Sequence, residues 1–336
     1  MKKQIINTAK YLIFTGIAVL LLYLVFRGQD LHKIANNLMK ANYYWVLLSL
    51  FLSLLSYIFR AYRWNLLIEP LGFRPILLNS LSAVSIGYLA NIAIPRIGEV
   101  SRCGALNKTD KIPVDKLFAT VIVERSIDLI SLIILMGLLL VFKFSFFGGF
   151  FETSVINPLC QKFNIHNITW IALVIALLFL MILGTLIYYF RESLLKNKIV
   201  LAAFKFGKGI LEGIFSIRHM KHPFLFIVFT VLIWLTYLMM TYVIFFSIPA
   251  TQSLTIVDAL FILVAGGLGQ VAPVQNGFGV FHGIVASALM LYGISFDDGL
   301  LYAIIGHESS TLFMIIIGLL AMFYTFIYRK RINGQS

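Results

Sequence analysis

Charge is what this chain has least of. Only 12% of its 336 residues are Asp, Glu, Lys or Arg, against about 25% in an ordinary soluble domain. That deficit leaves no stretch able to form a water-soluble domain of useful size. Cysteine is nearly absent as well: Cys103 and Cys160 stand far apart, without CxxC or Cys/His spacing, so neither a disulfide framework nor a zinc finger is indicated. G-x-S-x-G, H-E-x-x-H, a Walker loop and a Rossmann fingerprint in strand–helix context are missing too. The reading is therefore of a non-enzyme, with no catalytic residue, no cofactor, no metal and no ATP-driven step in this chain alone.

What is abundant is apolar sequence, 60% of residues at a mean hydropathy of +0.93. A bilayer core takes about 20 consecutive apolar residues per helix, and such runs recur almost throughout. The fold expected is an all-α polytopic membrane protein in a single integral membrane domain over 1–336. Full spans are predicted near 10–26, 43–59, 117–141, 168–190, 223–247 and 300–328. Two further regions, 76–108 and 256–294, are apolar but broken by Pro and Gly, giving about eight hydrophobic segments in all. The first run, "YLIFTGIAVLLLYLVF", is long for a signal peptide and lacks a small-residue cleavage site, so it is read as a retained anchor.

Basic residues outnumber acidic ones 27 to 14, and their placement orients the chain. If 96–116 returns to the side from which 76–95 entered, about 21 Lys and Arg lie on the N-terminal side and about five opposite. Both termini are then assigned to the cytoplasm, and the first broken region becomes a re-entrant hairpin. The segment 191–222 reads as a basic cytoplasmic loop, either solvated or lying along anionic lipid. Tyr43, Tyr44, Trp45, Trp64, Trp170, Tyr324 and Tyr328 fall near span ends, as an interfacial belt does. The excess of positive charge thus speaks of membrane orientation, and no nucleic-acid partner is expected.

"LANIAIPRIGEVSRCGAL" aligns with "LGQVAPVQNGFGVFHGIV", and "ATVIVERSIDLISLIILMG" with "YAIIGHESSTLFMIIIGLL". Repeat one would be 43–141 and repeat two 223–328, entered from opposite sides: an inverted-topology repeat, the pattern of secondary transporters. Whether the second hairpin is re-entrant or fully spanning stays open. Pro95 and Pro273 should end the first limbs, with Gly98, Gly277 and Gly279 permitting the turns. A half-helix starting near Gly98 would aim its N–H groups and dipole at a cavity. Arg96 and Arg102 add forked donors suited to phosphate; alternatively Arg96 and Glu99 pair and only anchor the hairpin. Glu124, Arg125 and Asp128 sit about 13 Å into the next span, with Glu124 and Asp128 on one face and Arg125 able to bridge to Glu99. They read either as a helix-locking cluster or as part of a headgroup or proton relay. His282, His307 and Glu308 are candidates for proton coupling or for structural roles. Asp258, Asp297 and Asp298 read as helix-start residues, and "GGLGQ" at 266–270 as a glycine cluster inside a membrane segment.

"PRIGEVSR", "ERSIDL" and a second "P...GFGVF" together resemble the flippase-like family of the lysylphosphatidylglycerol synthase transmembrane region, over roughly residues 10–328. The resemblance implies a multi-pass protein of the bacterial inner membrane, related to a module that moves aminoacylated phosphatidylglycerol between leaflets. It matches Pro95, Arg96, Gly98, Glu99 and Arg102 to the first motif, Glu124, Arg125 and Asp128 to the second, and Pro273, Gly277 and Gly279 to the third. Two departures stand out. The usual Pro-Gly-Gly-Leu-Gly run is "PVQNGFG", with His282 where an acidic residue commonly follows, and the chain ends at "RKRINGQS" without the lysyl-transferring domain. The function expected is a lipid flippase whose partners are membrane lipids with anionic headgroups: phospholipid, aminoacyl-phospholipid or polyprenyl-phosphate. An intramembrane lipid-modifying enzyme and a proton-coupled cation transporter are the alternatives. Protein partners and oligomeric state are not legible.

Overall fold

A computed structural model describes residues 31–94, 96–143, 220–271 and 274–333. The expected spans 10–26 and 168–190, most of the basic loop 191–222, Cys160, Trp170 and both hairpin prolines, Pro95 and Pro273, lie outside the described residues. Among the described residues the fold is all-helical, with no strand. The helices are α1 (Leu31–Lys40), α2 (Tyr43–Ile68), α3 (Leu77–Ala93), α4 (Gly98–Asp110), α5 (Val114–Phe142), α6 (Pro223–Ile244), α7 (Ile256–Val271), α8 (Val280–Met290) and α9 (Phe296–Asn333).

Four helical stretches are long and apolar enough to cross a membrane: Tyr43–Leu71, Val114–Phe142, Pro223–Ser247 and Phe296–Arg331. Large apolar side chains along their outer faces, among them Phe51, Ile133, Val231 and Phe323, are exposed, as a lipid-facing surface requires. The shorter α3, α7 and α8 are packed among the four. Each half of the chain thus reads long, short, short, long, with α2 packed along α6, α9 along α3 and α8, and α5 against α4 and α7.

Local chemistry sets the helix ends. Asn42 accepts from the Tyr44 N–H at 3.1 Å and so caps α2. Pro113 immediately precedes α5, and Pro223 begins α6, positions where a missing N–H is harmless. Thr255 and Asp258 form a reciprocal cap at α7: the Thr255 N–H and hydroxyl donate to the Asp258 carboxylate at 2.8 and 2.7 Å. Ser295 and Asp298 repeat the arrangement at α9. Lys111 closes α4 with a left-handed φ of 59°.

Contacts between loops sort the helix ends into two sets. At one end of the bundle the Asn42 N–H donates to Ser247 O at 2.8 Å, and Lys143, ending α5, pairs with Asp258, beginning α7, at 2.6 Å. At the other, Asn79 of α3 donates to Asp110 of α4 at 3.0 Å and accepts from the Tyr324 hydroxyl of α9 at 2.9 Å. Hence α3 starts and α4 finishes at one end, whereas α7 starts at the end where α5 and α6 finish.

Candidate functional site

The α2 helix carries Ser49, Ser53, Ser56, Arg60 and Arg63, all buried. Their spacing of three and four residues puts them in one stripe. Arg60 lies 17 residues beyond Tyr43, or roughly 26 Å along the helix. There the stripe meets the acidic face of α5. Arg60 donates to Glu124 at 3.0 Å and to Asp128 at 2.9 Å. Arg63 reaches the same two carboxylates at 3.3 and 2.7 Å. From α4, Arg102 closes the other edge of Glu124 at 2.9 Å, with its guanidinium 4.7 Å from the Trp64 ring centroid.

Glu124, Arg63 and Trp64 are wholly buried. An isolated charge would not persist there, and Glu124 and Arg63 are kept ionic only because their charged neighbours are opposite in sign. Arg125 stands apart. It bridges Glu99 at 3.1 Å and Asp128 at 3.7 Å, yet its side chain is 43% exposed. Four guanidinium groups therefore face three carboxylates across α2, α4 and α5, and one positive charge is left over.

The α3–α4 turn differs in detail from the sequence reading. Its left-handed residue is Arg96, with φ 65°; Gly98 is instead the first residue of α4. A Cβ on Gly98 would overlap the Gly87 carbonyl and come within 2.6 Å of Asn91. Glycine is needed there for close approach of α3 and α4. The Gly98 N–H, one of the free donors of the α4 start, is taken by Asn91 Oδ1 at 2.7 Å. Arg96 is exposed, and Glu99 is paired with Arg125 rather than with it. Arg102 points into the charge cluster.

In the second half, Asn276, Gly277 and Gly279 take left-handed φ of 49°, 73° and 79° between α7 and α8. Gly266 and Gly269 of the "GGLGQ" cluster lie against Phe281, where a Cβ would come within 2.7 and 3.0 Å; they bring α7 onto α8. His282 of α8 and His307 of α9 both approach the Glu308 Oε1, at 3.2 and 3.1 Å. His307 Nε2–H donates to the Asn276 carbonyl at 2.8 Å, and the Asn276 amide donates to Thr311 at 2.8 Å. In each half, then, the short second helix sends one polar side chain to the long helix that follows it: Arg102 to Glu124, and His282 to Glu308.

Between the halves lies a cavity of about 510 Å³, within the range of small-ligand sites. The α2 serines, Arg60, Tyr88, Arg125 and Asp128 line it from the first half; Tyr237, Gln270, Asn276, His307 and Thr311 line it from the second. Its remaining wall is mostly apolar, including Leu129, Leu132, Ile262 and Met314.

Two sequence readings need correction. The predicted span 43–59 stops too early, because α2 continues to Ile68 and buries Arg60 and Arg63, which count among the about 21 basic residues assigned to the N-terminal side. Trp64 is not an interfacial residue: it is fully buried, and its indole N–H donates to Thr120 at 2.8 Å. The missed signal was the serine and arginine stripe itself.

The family model described as the lysylphosphatidylglycerol synthase TM region matches residues 9–318. A UPF0104 membrane protein of Methanocaldococcus jannaschii is 30% identical over 131 residues, a match spanning 38% of this chain and 38% of that protein. No solved structure matches.

Proposed function

Since the chain belongs to the family of the lysylphosphatidylglycerol synthase transmembrane region, we propose that this multi-pass membrane protein moves an anionic-headgroup lipid between leaflets. The observation that carries the reading is the surplus positive charge of the α2–α4–α5 cluster at the wall of a cavity of about 510 Å³. A phosphate entering that cavity would meet Arg125, half-exposed, with Arg60 behind it. Arg96, exposed at the α3–α4 turn, makes the first contact with the headgroup; Arg102, Glu99, Glu124 and Asp128 hold the donors in place. The headgroup is that of a phospholipid, an aminoacyl-phospholipid or a polyprenyl phosphate, and the acyl chains stay in the bilayer. The protein performs no chemistry on it.

In this reading α3–α4 and α7–α8 are re-entrant hairpins entering from opposite faces of a bacterial inner membrane, with both termini cytoplasmic. The halves form an inverted repeat, and one rocks against the other around the cavity. The two sets of helix-end contacts support it, as does the long, short, short, long order in each half.

The test is flipping of a fluorescent anionic phospholipid in proteoliposomes. Arg125→Ala should slow it by about tenfold or more, the loss of one charged hydrogen bond being worth about 1.5–3 kcal/mol. Wild-type rates from a well-folded Arg125→Ala protein would refute the assigned site. Lipids recovered after the assay should be unchanged in mass; a new lipid species would make the protein an enzyme instead.

A further inference from the structure

We propose that His282, His307 and Glu308 form a binding site for a divalent transition metal of the zinc class. The proposal is independent of whether the protein moves lipid.

The donor set comes first. One ring nitrogen of His282, one of His307 and a Glu308 carboxylate oxygen all lie within 4.8 Å of one another, and the nitrogens that approach Glu308 Oε1 are His282 Nε2 and His307 Nδ1. Both imidazoles are buried, while the Glu308 side chain is 42% exposed, and the cavity that His307 lines is the route by which an ion would enter. Two imidazoles and a carboxylate are the ligands of many three-residue zinc sites, and nitrogen donors disfavour calcium and magnesium.

Proton bookkeeping allows a metal at the same place. A carbonyl oxygen only accepts, so the contact of His307 Nε2 with Asn276 O at 2.8 Å places a hydrogen on Nε2. In the neutral ring Nδ1 then offers a lone pair, and it faces Glu308 Oε1 at 3.1 Å. Two lone pairs facing each other repel unless a cation lies between them, which is a proton when the site holds no metal and the metal ion when it does. The Asn276 contact is also the outer-shell hydrogen bond that commonly orients a metal-bound histidine. His282 Nδ1 has no hydrogen-bond partner among the described residues, so without metal its proton sits on Nε2 and is donated to Glu308 at 3.2 Å. A metal taking Nε2 displaces that proton, as ligation by histidine requires.

Two of the three ligand spacings fit as well. Ligand atoms about 2.0 Å from a tetrahedral zinc stand roughly 3.3 Å apart. The two nitrogen-to-carboxylate separations are 3.2 and 3.1 Å. Since His307 lines the cavity, the fourth position falls to water or to an oxygen of whatever the cavity holds.

The experiment uses the full chain in detergent, stripped with chelator and dialysed, then titrated with zinc chloride. Metal analysis should find about one zinc per chain, and cobalt substituted for zinc should give the intense visible absorption of a four-coordinate site. His282→Ala and Glu308→Gln should each weaken zinc binding by about tenfold or more, whereas His222→Ala should leave it unchanged. Glu308→Gln keeps the side chain's size, so loss of zinc in a variant that melts like wild type without metal reports ligation, not misfolding. Absence of bound zinc, equal binding by the triad variants, or a six-coordinate cobalt spectrum would overturn the site.

Discussion

Arg63 and Arg125 contact the same carboxylate, Asp128, but differ sharply in exposure. That difference separates their roles. Arg63 is wholly buried and satisfies both Glu124 and Asp128, so Arg63→Ala leaves two buried carboxylates under-compensated. It should destabilise the protein by about 3–5 kcal/mol, read as a drop in unfolding temperature in detergent. Arg125→Ala breaks a half-exposed pair, worth only about 0–1 kcal/mol, and should melt near wild type while failing in transport. Swapped outcomes would mean that Arg63 is the headgroup ligand. Glu124, Arg125 and Asp128 were conspicuous in the sequence because charge inside a long apolar run is rare. Their arginine partners on α2 were hidden for the opposite reason. Arg60 and Arg63 follow a span already long enough at residue 59, so they passed for the cationic end of a helix rather than its buried continuation.

Among the elements, the breaks in the two apolar regions were legible from Pro and Gly, but the purpose of individual glycines was not. Sequence offers Gly98 as a turn residue; contact geometry makes it the point where α3 and α4 touch. Six residues on, Gly104 lies in the middle of the same helix with nothing within 4 Å of where its Cβ would be. The pair makes an internal control. Gly98→Ala must displace backbone at Gly87 and should cost about 1–3 kcal/mol as overpacking. Gly104→Ala gains helix propensity and should stabilise by up to about 1 kcal/mol. Unfolding temperatures of the two variants in one detergent give the comparison, and a tolerated Gly98→Ala would show that α3 and α4 do not meet there.

For the whole molecule, the question is which ends of the bundle face which side of the membrane. The sequence answers through charge: Lys108, Lys111, Lys116 and the terminal Arg329, Lys330 and Arg331 fall together. That bias survives reassigning Arg60, Arg63 and Arg102 to the interior, because the rest of the excess is untouched. The structure answers independently through contact, since Tyr324 near the end of α9 meets Asn79 at the start of α3, while Asn42 meets Ser247 at the far end. Neither argument contains a bilayer, so the two are joined by labelling. In a background lacking Cys103 and Cys160, Lys111→Cys, Lys330→Cys and Gln252→Cys each introduce one thiol at an exposed position. A membrane-impermeant maleimide applied to intact cells should label Gln252→Cys alone; applied to inside-out vesicles, it should label Lys111→Cys and Lys330→Cys. Both broken helix pairs are then forced to return to the side they came from, because α4 ends beside Lys111 and α7 begins just beyond Gln252. Labelling of Lys111→Cys from the same side as Gln252→Cys would make α3–α4 a full crossing and abolish the inverted repeat on which the transport reading rests.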